Sequence, residues 1–169
     1  MRTVLVLCLL AAAQGCEPDP TEGSSSTCPP VGSFGFAKGE LLPALTFEGC
    51  DETHVALHDL CGAPALIYHY AGWCPSCLHF LEDLPALMDE AGLAPEQVVV
   101  LVSEDPAGGR ATLPFCQGLL GEVEIPGIAA LDPRGGETSG LVIVTDASAR
   151  VVLRREDAPS AAILEALSP

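Results

Sequence analysis

Ala65-Leu66-Ile67-Tyr68-His69-Tyr70-Ala71-Gly72-Trp73-Cys74-Pro75-Ser76-Cys77 runs an apolar segment directly into two cysteines separated by Pro-Ser. Residues 65–70 are apolar enough for a strand buried on both faces. From Pro75 the period changes: Leu78, Leu81, Leu84, Leu87 and Met88 follow helical spacing over 75–90, with an interruption expected at Pro85. A C-x-x-C by itself is a moderate signal. Between a buried strand and a helix, with tryptophan directly before it, the same spacing becomes specific. Cys74 falls at the first helical turn, where free backbone N–H groups and the helix dipole favour a thiolate. Cys77, three residues on, shares its face and closes a small disulfide ring. A low-pKa thiolate attacks a disulfide, and a second thiol beside it resolves the product.

Working outward, the periods alternate. Residues 53–57 read as a short strand, 98–102 (Val-Val-Val-Leu-Val) as a buried one and 110–120 as a helix stopped by Gly121. Residues 128–131 form a weaker strand ending at Asp132-Pro133. The runs 141–145 and 150–153 flank Asp146-Ala147-Ser148-Ala149 as a hairpin, and 159–167 is a closing helix with Ile163, Leu164 and Leu167 on one side. This order gives an α/β domain with a mixed central sheet flanked by helices.

The 169 residues suffice for one domain. Seven Lys and Arg against 23 Asp and Glu give a formal charge of −16, which repels phosphates and anionic lipid headgroups and excludes nucleic-acid binding. Arg2 and the apolar run 4–13 suit the core of a secretory leader and are too short to span a bilayer. The run ends Ala13-Gln14-Gly15-Cys16, which resembles the lipobox of bacterial lipoproteins, departing from it at Ala13. The resemblance implies a leader over 1–15 and lipidation of Cys16; an ordinary signal peptide cleaved near Ala13 is the alternative. Cleavage before Cys16 removes Arg2 and leaves a charge of −17. Residues 16–39, with Pro18, Pro20, Pro29, Pro30 and the Ser24-Ser25-Ser26 run, read as a flexible tether, and 40–169 as the folded domain.

Trp73-Cys74-Pro75-Ser76-Cys77, the upstream Val55-Ala56-Leu57-His58-Asp59-Leu60 and the late Val144-Thr145-Asp146 turning into Arg150-Val151-Val152 resemble the thioredoxin superfamily. Within it they are most similar to the exported, membrane-tethered TlpA/ResA-like thiol–disulfide oxidoreductases. The resemblance implies a thioredoxin-like fold, Cys74 as nucleophile, Cys77 as resolving thiol, and protein thiols or disulfides as partners. It implies no cofactor and no metal, a monomer, and a place in the cell envelope facing the periplasm or exterior. Trp73 and Pro75 are expected on the surface where a partner docks. The family's cis-proline, which faces the disulfide, is matched by Gly140 in one alignment and by Pro126 in another; the hairpin and last helix favour Gly140. Phe80 stands where the family often has an acidic residue, and the family's helix-kinking proline is displaced to Pro85.

Other readings of the cysteines are weaker. Cys50, Cys61 and Cys116 offer no second C-x-x-C for zinc, although His79 follows Cys77 by two residues. The Thr and Pro that precede a peroxidatic cysteine are missing before both Cys74 and Cys77. A non-catalytic binding or structural module, stapled by Cys74–Cys77, is the principal alternative. Of the remaining cysteines, Cys50 and Cys61 flank a short segment that would fold back on itself, and are expected to form a structural bridge. That leaves Cys28 and Cys116, which would pin the tether if paired.

Overall fold

The computed structural model describes residues 28, 30–134 and 139–168. Cys16 and the leader lie outside them. Among the described residues, one mixed sheet contains β1 (Thr46–Gly49), β2 (His54–Ala56), β3 (Ala65–Ala71), β4 (Val98–Glu104), β5 (Ile128–Leu131), β6 (Leu141–Thr145) and β7 (Val151–Glu156). Their spatial order is β2-β1-β5-β4-β3-β6-β7. The helices are α1 (Pro75–Ala91), α2 (Leu113–Glu122) and α3 (Ser160–Leu167).

β3 is central, and all seven of its residues are buried. It runs parallel to β4, with Tyr68 opposite Val100, and antiparallel to β6, with Tyr68 opposite Val142. Alternation along the strands separates two cores. Leu66, Tyr68 and Tyr70 pack with Leu81, Leu84 and Leu87 of α1, Leu119 of α2 and Ile163 and Leu167 of α3. On the other face Ile67, Val99, Leu101 and Ile143 meet Leu42, Phe47, Leu57 and Leu60. All three helices therefore serve one core. The second core is closed by a 3₁₀ turn (Leu57–Leu60) and by the incoming chain.

That second core explains why ordered chain begins before the boundary expected at residue 40. Leu41 N–H donates to Ser33 O, Gly35 N–H to Leu41 O and Leu42 N–H to Ala149 O, while Leu41 and Leu42 are fully buried. Phe36 packs against the same core. Burying such side chains is worth about 1.5–3 kcal/mol each, enough to order a proline- and glycine-rich segment.

α1 has Pro75 in its first turn and a left-handed Gly92 (φ 67°) at its end, and it continues through Pro85. α2 starts later than expected because Thr112 caps it, the hydroxyl accepting Phe115 N–H at 3.4 Å, while Arg110 pairs back with Glu104. Gly121 lies inside α2 rather than ending it.

The expected Cys50–Cys61 bridge is corrected: Cys50 bonds Cys116, and Cys28 bonds Cys61. Strand register is the reason. β1 and β2 do form a hairpin, but Ala56 already lies opposite Thr46, so at Cys61 the chain has passed the far end of β1. Four strand residues separate that end from Cys50, about 13 Å, whereas a disulfide needs Cα atoms within about 7 Å. Cys50 instead donates its N–H to Ala129 O beside β5, on the face where α2 packs and presents Cys116.

A charge cluster built on the buried Asp132 carboxylate follows the end of β5. Arg134 donates from Nε to Asp132 Oδ1 at 2.9 Å and from Nη2 to Oδ2 at 2.7 Å, with its guanidinium over the rings of Phe36 and Phe47. His69 Nδ1 lies 3.9 Å from Asp132 Oδ2. Burial works to raise the Asp132 pKa, but the Arg134 hydrogen bonds, with the charges of Arg134 and His69, outweigh it and hold the carboxyl below its usual range. A depressed folded pKa contributes stability above the unfolded value of about 3.9, and that stability is lost as pH falls through the folded value. Asp132→Asn should therefore cost about 2 kcal/mol at pH 7, with the gap to wild type narrowing below about pH 4. Urea unfolding of both proteins across pH 3–7 measures this.

Candidate active site

The end of β3 and the start of α1 place the cysteine pair. Cys74 is the N-cap of α1, with extended backbone (φ −99°, ψ 103°), and its Sγ accepts the Cys77 N–H at 3.2 Å. The two sulfurs are bonded, with Cα atoms 5.2 Å apart. The Cys74 sulfur receives a backbone N–H and faces the positive end of a helix of 17 residues, an arrangement that favours negative charge. Ser76 Oγ lies 3.3 Å from the same sulfur and is a second hydrogen-bond partner. Cys74 retains 7% exposure and Cys77 none.

Trp73 stands 48% exposed beside the pair. Its indole N–H donates to the Glu104 carboxylate at the end of β4. The next loop is held by Asp105, whose Oδ1 accepts the N–H groups of Ala107 and Gly109, both at 2.9 Å. Gly72 allows this loop and α2 to approach. A Cβ there would lie 2.7 Å from Phe115 Cζ and 2.9 Å from Pro106 N. Pro75 is exposed at the first position of α1. Sequence reasoning missed Glu104 and Phe115, because the parallel β3–β4 register brings the first to Gly72-Trp73 and the packing of α2 brings the second.

The structure also separates the two candidates for the proline position. Pro126 precedes β5, where Gly127 lies against Val98 at the start of β4, the pole opposite Cys74. Gly140 leads into β6 at the Cys74 end and shares a groove with Ser76. Its N–H donates to His69 O at 2.9 Å and its O accepts Asp157 N–H at 3.0 Å. With φ at +78°, Gly140 occupies backbone space that proline cannot adopt, and a Cβ would sit 2.8 Å from Asp157 Oδ1. Restoring the proline by Gly140→Pro should therefore destabilise the domain by about 3 kcal/mol rather than improve the site. A denaturation midpoint at or above that of wild type would contradict this.

The groove is about 260 Å³ and runs from Ser76 and Gly140 between α1 and the loop entering α3. Phe80 stacks on Tyr68 in its floor, ring centroids 4.1 Å apart. Burial, then the nearby Asp157 and Tyr70, push the Tyr68 hydroxyl well above its ordinary pKa. Tyr68 is therefore a neutral lining group throughout the physiological range. Glu82 is turned outward to His79, at 3.1 Å, and does not line this groove. His69 is packed inside the sheet.

No protein-family model matches the chain, and no curated protein sequence does. Solved structures do match. The pneumococcal exposed lipoprotein thioredoxin from Streptococcus pneumoniae is 22% identical with a TM-score of 0.60, the alignment covering 73% of this chain and 96% of that one. A thiol:disulfide interchange protein of the thioredoxin family from Chlorobium tepidum is 15% identical with a TM-score of 0.61, covering 78% and 95%. A thioredoxin-like protein from Aeropyrum pernix is 14% identical with a TM-score of 0.56, covering 73% and 88%. This chain thus has a thioredoxin-like fold.

Proposed function

We propose that this chain is an extracytoplasmic thiol–disulfide oxidoreductase whose Cys74–Cys77 pair exchanges disulfides with partner proteins. The observation that carries the reading is the asymmetry of the two sulfurs: Cys74 at the helix cap, accepting a backbone N–H and keeping 7% exposure, and Cys77 fully enclosed beneath it. In the reducing direction, the Cys74 thiolate attacks a partner disulfide. An S–S bond forms between them and the partner's other sulfur leaves as thiolate. The Cys77 thiolate then attacks Cys74 Sγ, closing the intramolecular bond and releasing the partner's second thiolate. Two electrons pass to the partner; oxidation is the same path reversed. Trp73 and Pro75 supply the exposed apolar surface around the reacting sulfur, and Gly140 the opposite side of the groove. Lipidation at Cys16 would hold the domain at a bacterial membrane through the chain preceding Cys28. Two of the similar structures, titled an exposed lipoprotein thioredoxin and a thiol:disulfide interchange protein, support this reading.

The test is turnover of a protein disulfide with dithiothreitol as electron source. Wild type should accelerate reduction and Cys74→Ser should not. Trp73→Ala should lower kcat/KM about tenfold while shifting the potential of the pair little. Cys16→Ser should move the protein from the detergent phase to the aqueous phase, and a wild type recovered wholly soluble would remove the anchor from the proposal.

A further inference from the structure

The groove beside Cys74 has a composition that chooses among partners. Its floor is aromatic and apolar: Phe80 stacked on Tyr68, with Val142 and Ala158. Two exposed carboxylates stand over that floor, Asp83 from α1 and Asp157 from the loop before α3, while His79 is its one cation-capable lining group among the described residues. The backbone of Asp157 is tied to the sheet through its N–H bond to Gly140 O, which places this residue on the wall of the groove that Ser76 also lines. Arg155, opposite Val142 on the edge strand, does not line the groove. An aromatic face flanked by two carboxylates attracts a guanidinium or ammonium group through the ring quadrupole and through charge. The chain's formal charge of −16 acts in the same sense.

Resting on the oxidoreductase reading, we infer that the groove of Phe80, Asp83 and Asp157 receives a basic side chain, arginine above all, next to the reacting cysteine of the partner. The occupant is thus a basic segment of a partner protein. Its cysteine bonds Cys74 while its neighbouring arginine lies over Phe80 between the two carboxylates. Arginine is favoured over lysine because its planar guanidinium stacks on a ring and still donates at its edges.

The test uses the full chain, pre-reduced, and nonapeptides that each carry one cysteine as a mixed disulfide with 2-mercaptoethanol. Either side of the cysteine bears arginine, alanine or glutamate. Wild type should reduce the arginine peptide about fivefold faster than the alanine peptide, and the glutamate peptide slowest, with the spread shrinking in 0.5 M salt. In Asp83→Asn/Asp157→Asn the arginine preference should collapse towards one. In Asp59→Asn/Glu96→Gln, which removes the same charge from the opposite pole, it should persist. Equal rates for the three peptides in wild type, or an equal loss of preference in both double variants, would overturn the inference. The second result would assign the preference to the overall field of the protein. Failure of wild type to reduce any peptide, or the neutral disulfide of 2-mercaptoethanol, would instead remove the oxidoreductase reading, and the inference with it.

Discussion

Cys77→Ser should accumulate mixed disulfides between Cys74 and partner proteins, and Cys74→Ser should accumulate almost none. The expectation follows from position. Cys74 Sγ belongs to the one member of the pair that keeps any exposure, and it receives a hydrogen bond from the Cys77 N–H, a contact that favours a thiolate there once the bond is reduced. Cys77 is fully buried on the inner side of α1, out of reach of a partner disulfide but in contact with Cys74. Without Cys77 the first exchange still occurs and nothing resolves its product, so adducts persist under non-reducing electrophoresis. Turnover should fall by three orders of magnitude or more in either variant, since each lacks a bond-forming atom. Equal trapping by both, or trapping only when Cys74 is the residue removed, would reverse the assignment of roles.

Cys50→Ala/Cys116→Ala should lower stability by about 4 kcal/mol, a fall of roughly 15 °C in Tm for a domain of this size. The bond joins residues 66 apart in sequence, so it removes a long loop from the unfolded ensemble. Both cysteines are buried, in the core that also contains Cys74 and Cys77. The bond fastens α2 against β1 and β5, and α2 carries the Phe115 ring that lies over Gly72. Opening it should therefore reach the active-site turn as well as the global transition, and Cys74 in the variant should alkylate faster after mild reduction. Cys28–Cys61 closes 33 residues, which in loop entropy alone makes it nearly as valuable, since a twofold difference in length changes the term by only about 0.6 kcal/mol. The difference lies in what the loops enclose. Cys28 is exposed and ties down only the incoming chain, so its loss should leave Phe115 and Trp73 in place. Urea denaturation of the two pairs of alanine variants, with Cys74–Cys77 intact, distinguishes them. An unchanged midpoint in Cys50→Ala/Cys116→Ala would contradict the structural role.

Much of this architecture was legible in the amino-acid order. The run 65–70 and the run 98–102 are apolar at every residue or nearly so, which only a strand covered on both faces tolerates, and they became the adjacent central strands. The turn Asp146-Ala147-Ser148-Ala149 carries its own chemistry, Asp146 Oδ1 accepting the N–H groups of Ser148 and Arg150. β1 was not legible: Thr46-Phe47-Glu48-Gly49 is four residues with alternate burial, too short to stand out against the loops around it. The disulfides failed for a related reason. Proximity along the chain favoured Cys50 with Cys61, but pairing depends on which end of a strand each cysteine occupies, and that is decided by a register no local pattern states. At the site, Cys74 and Cys77 carried their chemistry in their spacing, whereas Glu104, Phe115 and Asp157 reach it from β4, α2 and the loop before α3. The helix-free face of the sheet was equally hidden, because Phe36 sits in a segment whose prolines and glycines read as tether, and Leu41 and Leu42 follow it with no strand or helix period of their own.

The equilibrium of Cys74–Cys77 with a defined thiol–disulfide buffer tests the account most directly. The full chain is poised across a series of glutathione and dithiothreitol ratios, its free thiols are alkylated, and the fraction of the pair reduced is read by mass. An exchanging pair should titrate as a two-electron couple between about −270 and −120 mV, with Cys50–Cys116 still oxidised across that range. A Cys74–Cys77 bond that stays closed below about −300 mV, as structural disulfides do, would contradict the account and leave the pair as a staple.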